Sequence, residues 1–131
     1  MKTKTVSKLK KEADAVFSRY IRSSAADVYG EAHCVTCGAK KRWQDLQCGH
    51  YEKRSVNSLR YDERNCHPQC AGCNVFKGGN YPRYAQYMLQ KYGPTILDEL
   101  AEEAKTLTQF KPYQLEAIIS LYKAKLAALT D

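Results

Sequence analysis

No stretch of this sequence approaches the ~20 consecutive apolar residues that a helix needs to cross a bilayer. Its first residues, Met1-Lys-Thr-Lys-Thr-Val-Ser-Lys8, also lack the apolar segment of a secretion signal. These absences argue against a membrane protein and against export, and they predict a chain working in the cytoplasm without membrane contact. Internal repeats, low-complexity tracts and interdomain linkers are missing too. A length of 131 residues suffices for one domain, 1–131, with a modest core, and is short for two. Acidic side chains are scarce: 14 Asp and Glu stand against 21 Lys and Arg, a net charge of +7. The shortage is local. Residues 1–93 hold 17 basic and 8 acidic side chains, whereas residues 94–131 hold 4 and 6. Such a surface suits a polyanion, DNA or RNA, with a membrane surface or plain solubility as the blander readings.

Cysteine is plentiful for the length. Six cysteines in a reducing compartment are better read as metal ligands and buried thiols than as disulfides. Four of them form two pairs, Cys34-Val-Thr-Cys37 and Cys70-Ala-Gly-Cys73, with 32 residues between Cys37 and Cys70. Each pair can turn tightly about a metal and supply two thiolates, and four thiolates close a tetrahedral zinc site with no position left for water. The expected Zn²⁺ is therefore structural, and its binding energy helps fix a hairpin too small to hold itself. Cys48 and Cys66 remain, either as spare ligands or as small buried groups.

Along the chain, five lysines fall within residues 1–11, and residues 1–6 read as a flexible basic arm. Leu9, Ala13, Val16, Phe17, Tyr20 and Ile21 recur at steps of three and four, which predicts a helix from about Ser7 to Ser23. Alternation around Gln47-Cys-Gly-His50 puts Leu46, Cys48 and His50 on one face of a short strand. Residues 52–64 read as the loop and second strand of a hairpin. Past the second knuckle, Asn74 to Lys77 can start a helix, broken at Gly78-Gly79. Asn80 then caps a run with Pro82 in its first turn and Tyr84, Tyr87, Met88 and Tyr92 on one face, ending at Gly93-Pro94. An acidic helix through Ile96 and Leu100 follows. The last helix opens at Lys111-Pro112, with Leu115, Ile118, Ile119, Tyr122, Leu126 and Leu129 on a wide apolar face that either packs on the core or joins a homodimer. The expected class is α+β, with the chemistry in residues 34–80 and a helical part over 94–129. Lys40, Lys41, Arg42, Lys53, Arg54, Arg60, Arg64 and Lys77 lie in or beside the motif region as candidate phosphate contacts, and an ordinary solvated surface would look similar.

His50, Asn65 and Asn74 stand between and just after the knuckles. Their positions resemble the pattern of the HNH (ββα-metal) nucleases: a His closing the first strand, an Asn five residues before a knuckle Cys (Cys70), and a His or Asn directly after the knuckle (Cys73). Longer strings narrow the likeness. Phe17-Ser-Arg-Tyr-Ile-Arg22, Cys34-Val-Thr-Cys37-Gly38, Gln47-Cys-Gly-His50, Asp62-Glu-Arg-Asn-Cys-His-Pro-Gln-Cys70, Cys73-Asn-Val-Phe-Lys-Gly-Gly-Asn80 and Gln90-Lys-Tyr-Gly93 look like the NinG/Rap family of lambdoid-phage recombination proteins. The resemblance implies a zinc-braced ββα-metal finger flanked by an N-terminal helix and C-terminal helices. It also implies an endonuclease that cuts branched double-stranded DNA, D-loops and Holliday junctions, in the host cytoplasm. One position departs from the HNH pattern: Gly49 stands where many such nucleases carry an Asp or His that helps hold the metal.

Phosphodiester hydrolysis needs a nucleophilic water, neutralisation of the charge growing on phosphate, and help for the leaving oxygen. A neutral imidazole can take the proton from water, the role expected of His50. Asn65 is expected to hold the other ring nitrogen, and Asn74 to offer its carbonyl oxygen to Mg²⁺ or Mn²⁺. Without a carboxylate at position 49, His50 and His67 are further candidate ligands. Two other functions fit the same residues: a zinc-stabilised DNA-binding module without catalysis, and an HNH nuclease acting on linear duplex.

Overall fold

A computed structural model describes residues 4–129, and the first three residues of the expected basic arm lie outside them. The arm is shorter than expected, because helix α1 (Val6–Ser24) already begins at Val6, with the Thr5 hydroxyl accepting from the Lys8 amide at 3.2 Å. Leu9, Ala13, Phe17 and Ile21, four apart, are its buried stripe.

The β structure is two separate antiparallel hairpins. Strands β1 (Glu31–His33) and β2 (Lys40–Arg42) carry the first knuckle at their turn. Strands β3 (Gln47–His50) and β4 (Cys66–Gln69) lead into the second, with His50 opposite Cys66 and Gly49 opposite His67. The second strand of this hairpin is therefore not in the 52–64 stretch. That stretch forms two short 3-10 turns, Asn57–Leu59 and Glu63–Asn65. The residues that pair with β3 begin at Cys66, where β-branched residues are absent and propensity gave no signal. After Cys70 a short π-helical turn, Gly72–Phe76, replaces the expected start of a helix. Helices α2 (Tyr81–Tyr92), α3 (Ile96–Ala104) and α4 (Pro112–Leu129) follow where the apolar spacing put them. Asn80 precedes α2 in the left-handed region, φ 50°, and its amide reaches Cys73 Sγ at 3.5 Å instead of capping the helix. Among the described residues no helix is long and apolar enough to cross a membrane.

Strand alternation decides what covers each face of the β3–β4 hairpin. Cys48, His50 and Cys66 share the face toward α1, where Phe17, Ile21, Cys66 and Tyr122 form one core cluster. Gly49, His67 and Gln69 share the other face, against α2, whose buried Tyr84 donates to the Gly49 carbonyl at 2.7 Å. Helix α4 completes the layer beyond α1. Leu115 and Ile119 pack with Leu9 and Ala13, and Phe17 meets Tyr122 edge-on with ring centroids 4.9 Å apart. The face of α4 put forward for a dimer is thus used within the chain: Ile119 and Tyr122 are buried, and Ile118 and Leu126 half-buried.

Gly49 has a local reason. A Cβ there would collide with the side chain of Gln69, which crosses the hairpin to donate to the Thr36 hydroxyl at 3.2 Å and the Gly79 carbonyl at 2.8 Å. A carboxylate at position 49 has no room. Gly49→Ala is expected to lose about 1–3 kcal/mol by overpacking, read from urea denaturation. Unchanged stability would mean that Gln69 swings aside freely.

Candidate metal centre and phosphate pocket

The four knuckle cysteines converge as their spacing requires: the Sγ atoms of Cys34, Cys37, Cys70 and Cys73 lie within 4.8 Å of one another, with Cys37 and Cys70 at 3.7 Å. The first knuckle closes through the Gly38 amide donating to the Cys34 carbonyl at 2.8 Å, with Gly38 at φ 81°. The second closes through the Asn74 amide on the Cys70 carbonyl at 2.9 Å. Burial alone would push the Cys34 thiol up, but the Thr36 hydroxyl and the amides of Cys70, Cys37 and Thr36 outweigh it and bring it down to about 6. Three of the four thiols are buried. Such a donor set can hold a structural metal ion, since a cation is what lets four adjacent thiolates coexist.

His50 sits on the α1 side. Its Nε2 is 3.0 Å from the Arg60 carbonyl, which can only accept, so Nε2 carries the proton and Nδ1 the lone pair. Burial lowers its pKa, and the ring is therefore neutral at physiological pH. The ring lines a cavity of about 310 Å³ walled by Asp14, Ser18 and Arg22 of α1, Gln47 and Cys48 of β3, and Arg54. Arg22 is held by Ser18 and the Leu46 carbonyl and stacks on Trp43. Asp14 is taken up by Arg60, through two hydrogen bonds at 2.9 and 2.6 Å, and by the Tyr61 hydroxyl at 2.9 Å. The exposed Arg54 approaches Asp14 only at 4.0 Å.

Several expected roles fall elsewhere. Asn65 does not touch the His50 ring: its Oδ1 accepts from the Glu52 amide at 2.7 Å, and its Nδ2 donates to the Glu52 and Leu59 carbonyls at 3.1 Å each. It closes the loop that carries Arg60, so the orienting acceptor is the Arg60 carbonyl, with Asn65 behind it. Asn74 donates to Gln47 Oε1 at 2.8 Å, and no hydrogen bond joins any two of His50, Asn65 and Asn74. His67 is held by two tyrosines. The Tyr84 hydroxyl spends its proton on the Gly49 carbonyl, so His67 Nδ1 donates to Tyr84 Oη at 2.9 Å, and Nε2 accepts from the Tyr92 hydroxyl at 2.7 Å. Both ring nitrogens are occupied in a buried setting on the face opposite His50. The expected Mg²⁺ or Mn²⁺ ligand set of His50, His67 and Asn74 is therefore not assembled.

The basic residues divide similarly. Arg60 is committed to Asp14, Arg64 to Asp62 and Glu103, and Lys40 to Asp27 at 3.2 Å, which takes them out of the expected phosphate-contact set as free cations. Lys41, Arg42, Lys53 and Lys77 are exposed and form no ion pair among the described residues. Asp14 and Ser18 were not singled out by sequence reasoning, although with Arg22 they lie four apart, one polar stripe beside the apolar one.

Burial, and then the charge of Lys91, lower the His67 pKa to about 3, against an ordinary 6.5. The unfolded chain therefore binds the extra proton first, so His67's contribution is complete above about pH 6.5 and is lost as pH falls toward 3, at about 1.4 kcal/mol per unit. The stability advantage of the wild type over His67→Gln in urea titrations should shrink accordingly between pH 7 and 5. A constant gap would contradict the buried neutral ring.

The family model described as the bacteriophage lambda NinG protein matches residues 1–131. Curated relatives include Protein ninG of Salmonella phage P22, 31% identical over 122 residues, which cover 92% of this chain and 57% of the relative. Protein ninG of Escherichia phage 933W and that of Escherichia phage lambda are each 30% identical over 122 residues, covering 92% of this chain and 58% and 57% of the relatives. The chain thus spans a little over half the length of the relatives it matches. No solved structure matches it. On the strength of the whole-chain match, this protein belongs to the NinG family of lambdoid bacteriophages.

Proposed function

We propose that the chain is an endonuclease of phage recombination that hydrolyses phosphodiesters in branched DNA, with its reaction centre at His50 and a structural zinc in the four-thiol centre. The observation that carries this reading is a neutral imidazole whose Nδ1 has no hydrogen bond among the described residues, its other nitrogen fixed by a backbone carbonyl, in a cavity lined by Arg22 and Arg54. Two guanidinium groups lining the cavity can neutralise a phosphate in transit. The Nδ1 lone pair is where water is activated: a neutral imidazole takes a proton from water or holds a cation that lowers the water's pKa. Hydroxide then attacks phosphorus as the P–O bond to the leaving sugar oxygen breaks. Exposed Lys41, Arg42, Lys53 and Lys77 suit the flanking phosphates.

A second reading, a DNA-binding module without catalysis, draws on a specific observation: the amides of Asn65 and Asn74 are spent on Glu52, Leu59 and Gln47 instead of on the reaction centre. The two part on incubation of the purified chain with a synthetic four-way junction and a linear duplex of the same sequence, in Mg²⁺, Mn²⁺ or Zn²⁺. Cleavage of the junction is expected, with His50→Ala reducing the rate by about 10²–10⁴ while retaining binding. Binding without cleavage in every metal would favour the module, and equal cutting of both substrates would favour a linear-duplex nuclease.

A further inference from the structure

We propose that Cys48, His50 and Cys66 form a second metal site, one that takes a thiophilic divalent cation of the zinc class and leaves one coordination position open to the cavity under α1. Sheet register builds it. His50 and Cys66 are direct partners across the β3–β4 hairpin, and Cys48, two residues before His50, points from the same face. One ligand atom from each, two Sγ and a ring nitrogen, lie within 4.8 Å of one another. Thiolates around tetrahedral zinc stand about 3.8 Å apart, given Zn–S bonds of about 2.3 Å, so the closure needed is small.

The surroundings match a ligand set with a second layer. The Arg60 carbonyl accepts from His50 Nε2 at 3.0 Å and lies 3.9 Å from Cys66 Sγ, so one backbone oxygen orients the imidazole beside the thiol and leaves Nδ1 to bind. Cys66 is buried under Phe17 and Tyr122, while Cys48 and His50 are half-buried at the cavity wall, so the fourth position faces Ser18, Arg22 and Arg54. Two thiolates, one imidazole and one open position form a set typical of catalytic zinc, and it disfavours Mg²⁺, which requires oxygen donors. On binding, each thiol gives its proton to solvent. This deepens the nuclease reading by placing the water-activating cation on His50; the existence of the site does not depend on that reading.

The test is metal content, measured without DNA. The purified reduced chain, dialysed against Zn²⁺ and then against buffer, should hold two zinc equivalents by elemental analysis, and Cys48→Ser and Cys66→Ser one each. In the cobalt-loaded protein, thiolate-to-metal absorption should fall by about one third when both are replaced, as six sulfur ligands become four. One zinc equivalent in the wild type overturns the proposal, and this needs no variant to fold. So does a count of two that survives in Cys48→Ser, or a Cys48–Cys66 disulfide that excludes zinc. Two equivalents in a protein that cuts no DNA would remove the nuclease reading and keep the site. One equivalent in a protein that cuts would do the reverse.

Discussion

Four thiols within 4.8 Å of one another are the constraint on which this molecule depends. Neither two-stranded hairpin could stand alone, since such units are marginal without a packed face. The core cluster between them consists of Ala32, Cys34, Leu46, Cys70 and Cys73, mostly sulfur and small side chains. Apolar burial in so small a cluster contributes little, and a cation held by the thiols would tie residues far apart in sequence into one unit. Gln69 reinforces that tie by bridging the first knuckle, at Thr36, and the turn after the second, at Gly79.

Helix α1 does two jobs from two adjacent stripes. Leu9, Ala13, Phe17 and Ile21 close the core against α4 and the hairpin, and Asp14, Ser18 and Arg22 wall the cavity at His50. The strongest polar link between helix and loop is the paired Asp14–Arg60 contact, in which a planar guanidinium meets both carboxylate oxygens. A lone carboxylate here could hold a cation, but a carboxylate neutralised by Arg60 and hydrogen-bonded by Tyr61 serves to position the loop.

The helices were legible because apolar residues three and four apart leave few alternatives, and Gly93 and Pro112 mark their ends. The four-thiol centre was legible because CxxC spacing encodes ligand geometry directly. The hairpin partner was misplaced: Cys66-His-Pro-Gln69 has poor strand propensity and pairs through tertiary context, sandwiched between α1 and α2. The roles of Asn65 and His67 were hidden for a related reason, since their partners are backbone carbonyls and tyrosine hydroxyls whose positions no spacing rule encodes. Gly49, a departure from the HNH pattern at the level of sequence, follows from the path of the Gln69 side chain.

The acceptor that decides which nitrogen of His50 bears hydrogen belongs to Arg60, at the end of the same loop that carries Lys53 and Arg54 outward. That loop is pinned from inside by the Asn65 amide, by Asp14 and by Leu59, buried among Tyr84, Met88, Ile96 and Leu100. A polyanion engaging those cations would load the same backbone segment whose carbonyl sets the imidazole's tautomer. Grip at the surface and proton placement at the ring share one segment of backbone.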